Sequence, residues 1–227
     1  MLYLAMSCLQ GRPMAAAAAE LLGLGVEGLQ LTPGNAPTGG FAAWLARRGV
    51  AVRKHHGFAW TAMRQRVWSD AGVLLATEAD SVHPPRVGDV SEAGWRAAAE
   101  AGAFGAVALE TMYPGYFLGD GAALDWAMSV RLPVAVDIAH LALQEEAGVL
   151  SAGCRRRLEV YEGVVEVHVS APAGRRDAHL PVTAGQRGLG WAREQAASGV
   201  PVVLECYMHR LSLAAREAQV AMLRGEG

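Results

Sequence analysis

Short apolar runs recur along the chain and alternate with longer segments rich in Ala, Leu and Arg. The runs are LYLAMS (2–7), VEGLQL (26–31), VAVRKH (50–55), DSVH (80–83), AVALE (106–110), VAVDIAH (134–140), VVEVHVS (164–170) and VPVVLE (200–205). Most are nearly continuous in apolar character. That pattern predicts strands buried on both faces, as in a parallel sheet covered by helices. The segments between them predict helices over 13–24, 40–49, 91–102, 121–130, 144–163, 186–199 and 211–225. Glycine or proline stands at most helix-to-strand returns, at Gly49, Gly102, Pro133, Gly163, Gly199 and Pro201, where a helix needs a stop. The stretch 56–79 is irregular; a helix is expected in it, with ends the pattern does not fix.

Eight such units in 227 residues average about 28 residues each, the lower end for a (β/α)8 barrel. The expected fold is therefore α/β, a single compact (β/α)8 TIM barrel over 1–227. A doubly wound open sheet is the rival. Its nucleotide-binding versions are weakened because no GxGxxG follows the first strand and no P-loop occurs.

Composition narrows the picture. Hydrophobic residues make up 52% of the chain and the formal net charge is −2, so no global basic footprint points to nucleic acid. Arg47-Arg48, Arg155 to Arg157 and Arg175-Arg176 read as solvated surface or local anion contacts. The opening MLYLAMSCLQGRP reads as a first strand, since it lacks a positive leader region. No apolar stretch reaches membrane-span length. Cys8, Cys154 and Cys206 are far apart and odd in number, which predicts a reduced, cytoplasmic protein. The expected partner is a small-molecule substrate, with no membrane and with homo-oligomers left open.

In a barrel, function sits at the C-terminal ends of the strands. Here those ends carry His55, His83, Glu110, Asp137 with His140, His168 and Glu205. A single strand-end acid or histidine is commonly a cap. Six strands delivering only His, Asp and Glu to one rim ask for a common partner. Carboxylates and imidazoles brought together repel or titrate unless a divalent cation neutralises them. Mixed nitrogen and oxygen donors predict zinc, manganese or iron. In VHVSAPAGRRDAH (167–179), Asp177 and His179 lie two residues apart and are expected to fold back over the rim as further ligands or as substrate contacts. KHHGF leaves His55 and His56 as alternatives, and alternation lets only one point inward.

Taken in order, VALE at the fifth strand, VDIAH at the sixth, EVHVS at the seventh and VVLE at the eighth resemble the xylose isomerase-like barrels. That superfamily includes sugar-phosphate isomerases and epimerases and the endonuclease IV group. The resemblance implies a core metal site of Glu110, Asp137, His168 and Glu205 with His140 beside it. It also favours His55 over His56. His55, His83, Asp177 and His179 exceed the minimal isomerase set and resemble relatives with two or three clustered metals, including iron-dependent oxidases of peptide cysteines.

The expected activity is a metal-dependent isomerase or epimerase acting on a small sugar-like or hydroxy-carbonyl substrate. One divalent ion is required, and two or three follow if all nine residues are ligands. Glu110 and Glu205 would move the proton and His140 would orient the substrate oxygen. The alternatives are a multinuclear phosphoester hydrolase and an iron-dependent oxidase. Trp60, Trp68, Tyr113, Tyr116 and Phe117 are candidate pocket walls, and Gln30 and Thr32 candidate hydrogen-bonding groups.

Overall fold

The computed structural model describes residues 1–32, 39–56 and 66–226. Eight parallel strands close into a barrel: β1 (Leu2–Ala5), β2 (Gly28–Leu31), β3 (Ala51–His56), β4 (Ser81–Val82), β5 (Ala108–Glu110), β6 (Val134–Asp137), β7 (Val164–Val169) and β10 (Val202–Leu204). They neighbour one another in chain order, and β10 pairs with β1 to close the ring. The chain is thus a single (β/α)8 TIM barrel. The helices are α1 (Met14–Leu22), α2 (Gly39–Arg47), α3 (Glu92–Glu100), α4 (Gly121–Ser129), α5 (Ile138–Glu146), α6 (Ala152–Glu159), α7 (Leu189–Ala197) and α8 (Leu213–Arg224).

Alternation along each strand divides the core in two. Leu4, Leu29, Leu109, Val136, Val167 and Leu204 are fully buried and supply the apolar packing. Trp95 of α3, 1% exposed, anchors an aromatic cluster with Phe104, Phe117 and Trp126, with ring centroids 5.1 to 5.6 Å apart. The residues between the outward-facing ones turn into the barrel, and many are polar. Arg53 of β3 reaches Glu166 of β7, Ser81 of β4 reaches the same carboxylate, and Gln30 of β2 reaches His168 of β7. These contacts join strands that are not neighbours, so they cross the interior. Gly28 permits the lower part of that packing: a Cβ there would lie 2.3 Å from the Tyr3 ring and 2.5 Å from the Ala51 carbonyl.

Several elements depart from the sequence expectation. The sixth strand stops at Asp137 instead of reaching His140, because the Asp137 carboxylate caps α5: Oδ1 accepts the N–H groups of Ala139 (2.6 Å) and His140 (2.9 Å). The helix expected over 144–163 is two helices. Gly148, at φ +72°, leaves the helical path, and Ser151 starts α6 by accepting the Cys154 N–H. The first strand ends at Ala5, followed by a short 3-10 helix over Met6–Leu9. Of the irregular stretch, residues 66–79 contain no helix, and a bridge pairs Trp68 with Leu74; residues 57–65 lie outside the described part. After β7 the chain forms an antiparallel hairpin, β8 (Ala171–Ala173) and β9 (Arg176–Leu180), where the sequence predicted a loop. Gly174, at φ +55°, allows its two-residue turn. Among the described residues no helix is long and apolar enough to cross a membrane.

Candidate metal centre

The strand-end residues meet around Glu110, which is 1% exposed. Its Oε2 faces His55 Nε2 at 3.2 Å and His83 Nε2 at 2.9 Å. Its Oε1 faces His140 Nδ1 at 3.2 Å and His168 Nδ1 at 3.3 Å. Glu205 Oε1 lies 3.6 Å from His168 Nδ1. The hairpin brings its two residues over this floor: Asp177 Oδ2 is 3.3 Å from His140 Nε2 and 3.4 Å from His179 Nε2. His179 Nδ1 is 3.9 Å from Glu205 Oε2. Asp137 Oδ2 lies 3.9 Å from His140 Nδ1, so each of the nine residues expected from the sequence adjoins at least one other.

Local structure explains the placement. Asp137 is divided between two tasks, with Oδ1 spent on the α5 cap and Oδ2 buried without a hydrogen-bond partner. The cap puts His140 in the first turn of α5, where its Nδ1 lies 2.9 Å from the Thr111 carbonyl. A proton on Nδ1 satisfies that carbonyl and leaves Nε2 as a lone pair aimed at the Asp177 carboxylate. Two acceptors facing each other at 3.3 Å need a cation between them or a second proton on the ring. His179 holds φ +45°, uncommon for a residue with a side chain. The Tyr207 N–H fixes it by donating to the His179 carbonyl at 2.8 Å.

The charge balance is lopsided without a cation. Burial alone would raise the Glu110 carboxyl, but His83, His168 and His55 outweigh it and hold the group well below the usual carboxylate range. Burial raises Asp137 and Glu205, and the Glu110 charge adds to both shifts. Burial works against protonation of His140 and His168. Asp137 overcomes it for His140, and Glu205 with Glu110 for His168, so both pKa values stand well above the ordinary one. His179 is pushed up to about 9 against burial, by Asp177 and Glu205. His55 goes the other way, down to about 3, because burial dominates there.

A divalent ion fits these residues. Glu110 Oε2, Asp137 Oδ2, His140 Nε2, His168 Nδ1, Asp177 Oδ1 and His179 Nδ1 are buried polar atoms with no hydrogen-bond partner, an expensive arrangement unless something else satisfies them. Four groupings have donor atoms within 4.8 Å of one another: His55-Glu166-His168, His55-His83-Glu110, Glu110-Asp137-His140 and Asp137-His168-Glu205. Among the described residues no lysine or arginine pairs with any of the nine expected donors.

The secondary expectations divide. His55 turns inward, whereas His56 Nε2 faces Glu78 at 3.5 Å. Tyr113 packs on His140 and Tyr116 on His83, so both wall the site. Trp68 lines a cleft of about 500 Å³ beside His83, with Pro84, Pro85, Arg86 and Tyr116, and its indole N–H donates to the His83 carbonyl. Phe117 is no wall: it is 4% exposed and packs on Trp95 in the helical layer. Gln30 is fully buried beneath His168, below the open side of the site. Thr32 follows β2, and Trp60 lies outside the described residues. Glu166 and Arg53 were missed. The signal was available in VVEVHVS, where Glu166 shares the strand face of His168 by period-two alternation.

No family model matches the chain, and no curated protein matches it at a significant level. Solved structures do match. A D-tagatose 3-epimerase-like protein aligns with TM-score 0.64 at 11% identity over 99% of this chain and 97% of its own. The probable 3-DHS dehydratase AsbF of Bacillus anthracis, described as involved in petrobactin synthesis, aligns with TM-score 0.62 at 14% identity, over 97% of each chain. A xylose isomerase-like TIM barrel/4-hydroxyphenylpyruvate dioxygenase fusion protein aligns with TM-score 0.60 at 14% identity, over 98% of this chain and 41% of its own. These likenesses show the fold alone, a (β/α)8 TIM barrel.

Proposed function

We propose that the chain is a multinuclear divalent-metal enzyme whose ions would be held by the donors gathered around Glu110. The observation that carries this reading is the surroundings of Glu110: one carboxylate oxygen faces His55 and His83, the other His140 and His168. Four carboxylates and five imidazoles converge in total, more than the about four to six donors that one ion accepts. His55, His83 and Glu110 form one group of donors. Glu110, Asp137, His168 and Glu205 form a second, and His140, Asp177 and His179 extend it under the hairpin.

The imidazole-rich donor set suits iron(II) or zinc over magnesium or calcium. We favour iron-dependent oxidation of a bound substrate by dioxygen. Bound iron(II) would supply electrons to the oxidant and Lewis acidity to a substrate atom. Tyr113 and Tyr116 would hold the substrate, and the aromatic walls suit an uncharged group better than a phosphodiester. Glu205 would pass a proton to or from it. Glu110 is ill placed for that task because four imidazoles surround it.

Isomerisation or epimerisation is the second reading, supported by the epimerase-like description of a structural neighbour. It needs one ion, with Glu205 moving the proton and His140 orienting the substrate oxygen. The two readings separate on protein reconstituted anaerobically with iron(II) and then exposed to dioxygen. Low-temperature Mössbauer spectra should show spin-coupled ferric ions, as ions held in adjoining donor groups would be. Isolated mononuclear iron alone would contradict the cluster.

A further inference from the structure

Beneath the donors lies a second polar layer. Glu166 of β7 is fully buried, and its two oxygens are both engaged. Oε2 receives the Arg53 guanidinium from across the barrel. Oε1 lies 2.6 Å from His168 Nε2 and accepts the Ser81 hydroxyl at 2.5 Å. Ser81 Oγ in turn lies 3.0 Å from His55 Nδ1. A serine has one proton, and the carboxylate takes it. The hydroxyl oxygen is left to accept, so Nδ1 of His55 must carry a hydrogen. The same logic puts a hydrogen on Nε2 of His168, because an ionised carboxylate only accepts, and the Gln30 amide 3.1 Å from that nitrogen must then turn its oxygen toward it.

We infer that Glu166 is a positioning residue that sets the proton-bearing nitrogen and ring orientation of two metal-ligating histidines, His168 directly and His55 through Ser81. The consequence is a specific choice of ligand nitrogen: Nδ1 on His168 and Nε2 on His55. Those are the two atoms that face Glu110, at 3.3 and 3.2 Å. Glu166 also lies close enough to His55 and His168 to look like a ligand itself. Arg53 argues otherwise, since its guanidinium already neutralises the carboxylate and holds it below the donor layer. Partners of this kind orient ligating imidazoles and raise their basicity, and losing one typically costs about 10- to 100-fold in metal affinity. The inference rests on the metal reading of the cluster.

The test uses the zinc-loaded full chain, which is diamagnetic. Long-range proton–nitrogen correlation spectra of the wild type should place hydrogen on Nε2 of His168 and Nδ1 of His55. The opposite tautomer on either ring overturns the assignment. Chelator competition then compares Glu166→Gln and Ser81→Ala with wild type. Glu166→Gln should weaken zinc binding by about 10- to 100-fold while preserving stoichiometry. Ser81→Ala, which cuts only the His55 arm, should give a smaller loss and leave the His168 tautomer intact. Loss of a whole zinc ion in Glu166→Gln would make Glu166 a ligand and overturn the proposal, as would unchanged affinity in both variants. If Glu166→Gln does not fold, the wild-type tautomers and Ser81→Ala decide. Failure of the wild type to take up zinc would fault the metal reading, a result distinct from failure of the relay.

Discussion

At the scale of single residues, burial and neighbouring charges decide which imidazoles of the cluster carry protons. In the ion-free protein Glu205, Glu110 and Asp137 keep His168 and His140 protonated, and Asp177 and Glu205 raise His179 to about 9. Each must lose a proton to become a ligand. The sign follows: metal affinity should rise as pH climbs through the His179 value of about 9, and binding near pH 7 should release protons. Calorimetric titration in two buffers of different ionisation enthalpy checks this, and a buffer-independent heat would contradict it. Glu110→Gln should weaken every ion position together, because its carboxylate belongs to both donor groups; Glu205→Gln should spare the His55-His83 position. Elemental analysis of the two purified variants separates these outcomes.

The strand-end donors were legible in the sequence because a strand alternates with period two and a parallel barrel gathers its strand ends on one rim. Glu166 and Arg53 obey the same alternation in VVEVHVS and VAVRKH. What the sequence could not show was their pairing across the barrel, which depends on a closure that brings β3 opposite β7. Phe117 was misread for the opposite reason. It follows Tyr116 by one residue, and the turn there sends its ring into the helical layer.

At the scale of elements, β6, α5 and the hairpin build the site. The strand expected to run to His140 ends three residues earlier because Asp137 caps the next helix. Asp before an apolar run is a cap signal, but the same aspartate also ends an apolar strand, and sequence alone did not separate the roles. The double role predicts a split between two substitutions. Asp137→Asn should retain the cap and the fold yet weaken metal binding, since asparagine caps as well as aspartate. Asp137→Ala should lose both, with about 1 kcal/mol or more of stability. Denaturant unfolding of the ion-free variants reads this directly; equal stability would contradict the capping role. In the helical layer, Trp95→Ala should cost about 3–5 kcal/mol, because four aromatic rings pack on a side chain that is 1% exposed.

At the scale of the molecule, a closed parallel barrel places its polar interior and its open rim along one axis. Apolar residues that face the helices hold the ring together, leaving the interior free to carry Glu166, Arg53 and Ser81 as a support for the donors above them. The hairpin β8–β9 adds a lid of two further donors, and deleting their function should leave the barrel folded. The central claim is that these donors hold more than one ion. Elemental analysis of wild type purified without added metal, beside Asp177→Ala combined with His179→Ala, tests it most directly. Two or three divalent ions per chain are expected in the wild type and fewer in the double variant. One ion per chain, unchanged when Asp177 and His179 are removed, would contradict it and leave those two residues as substrate contacts.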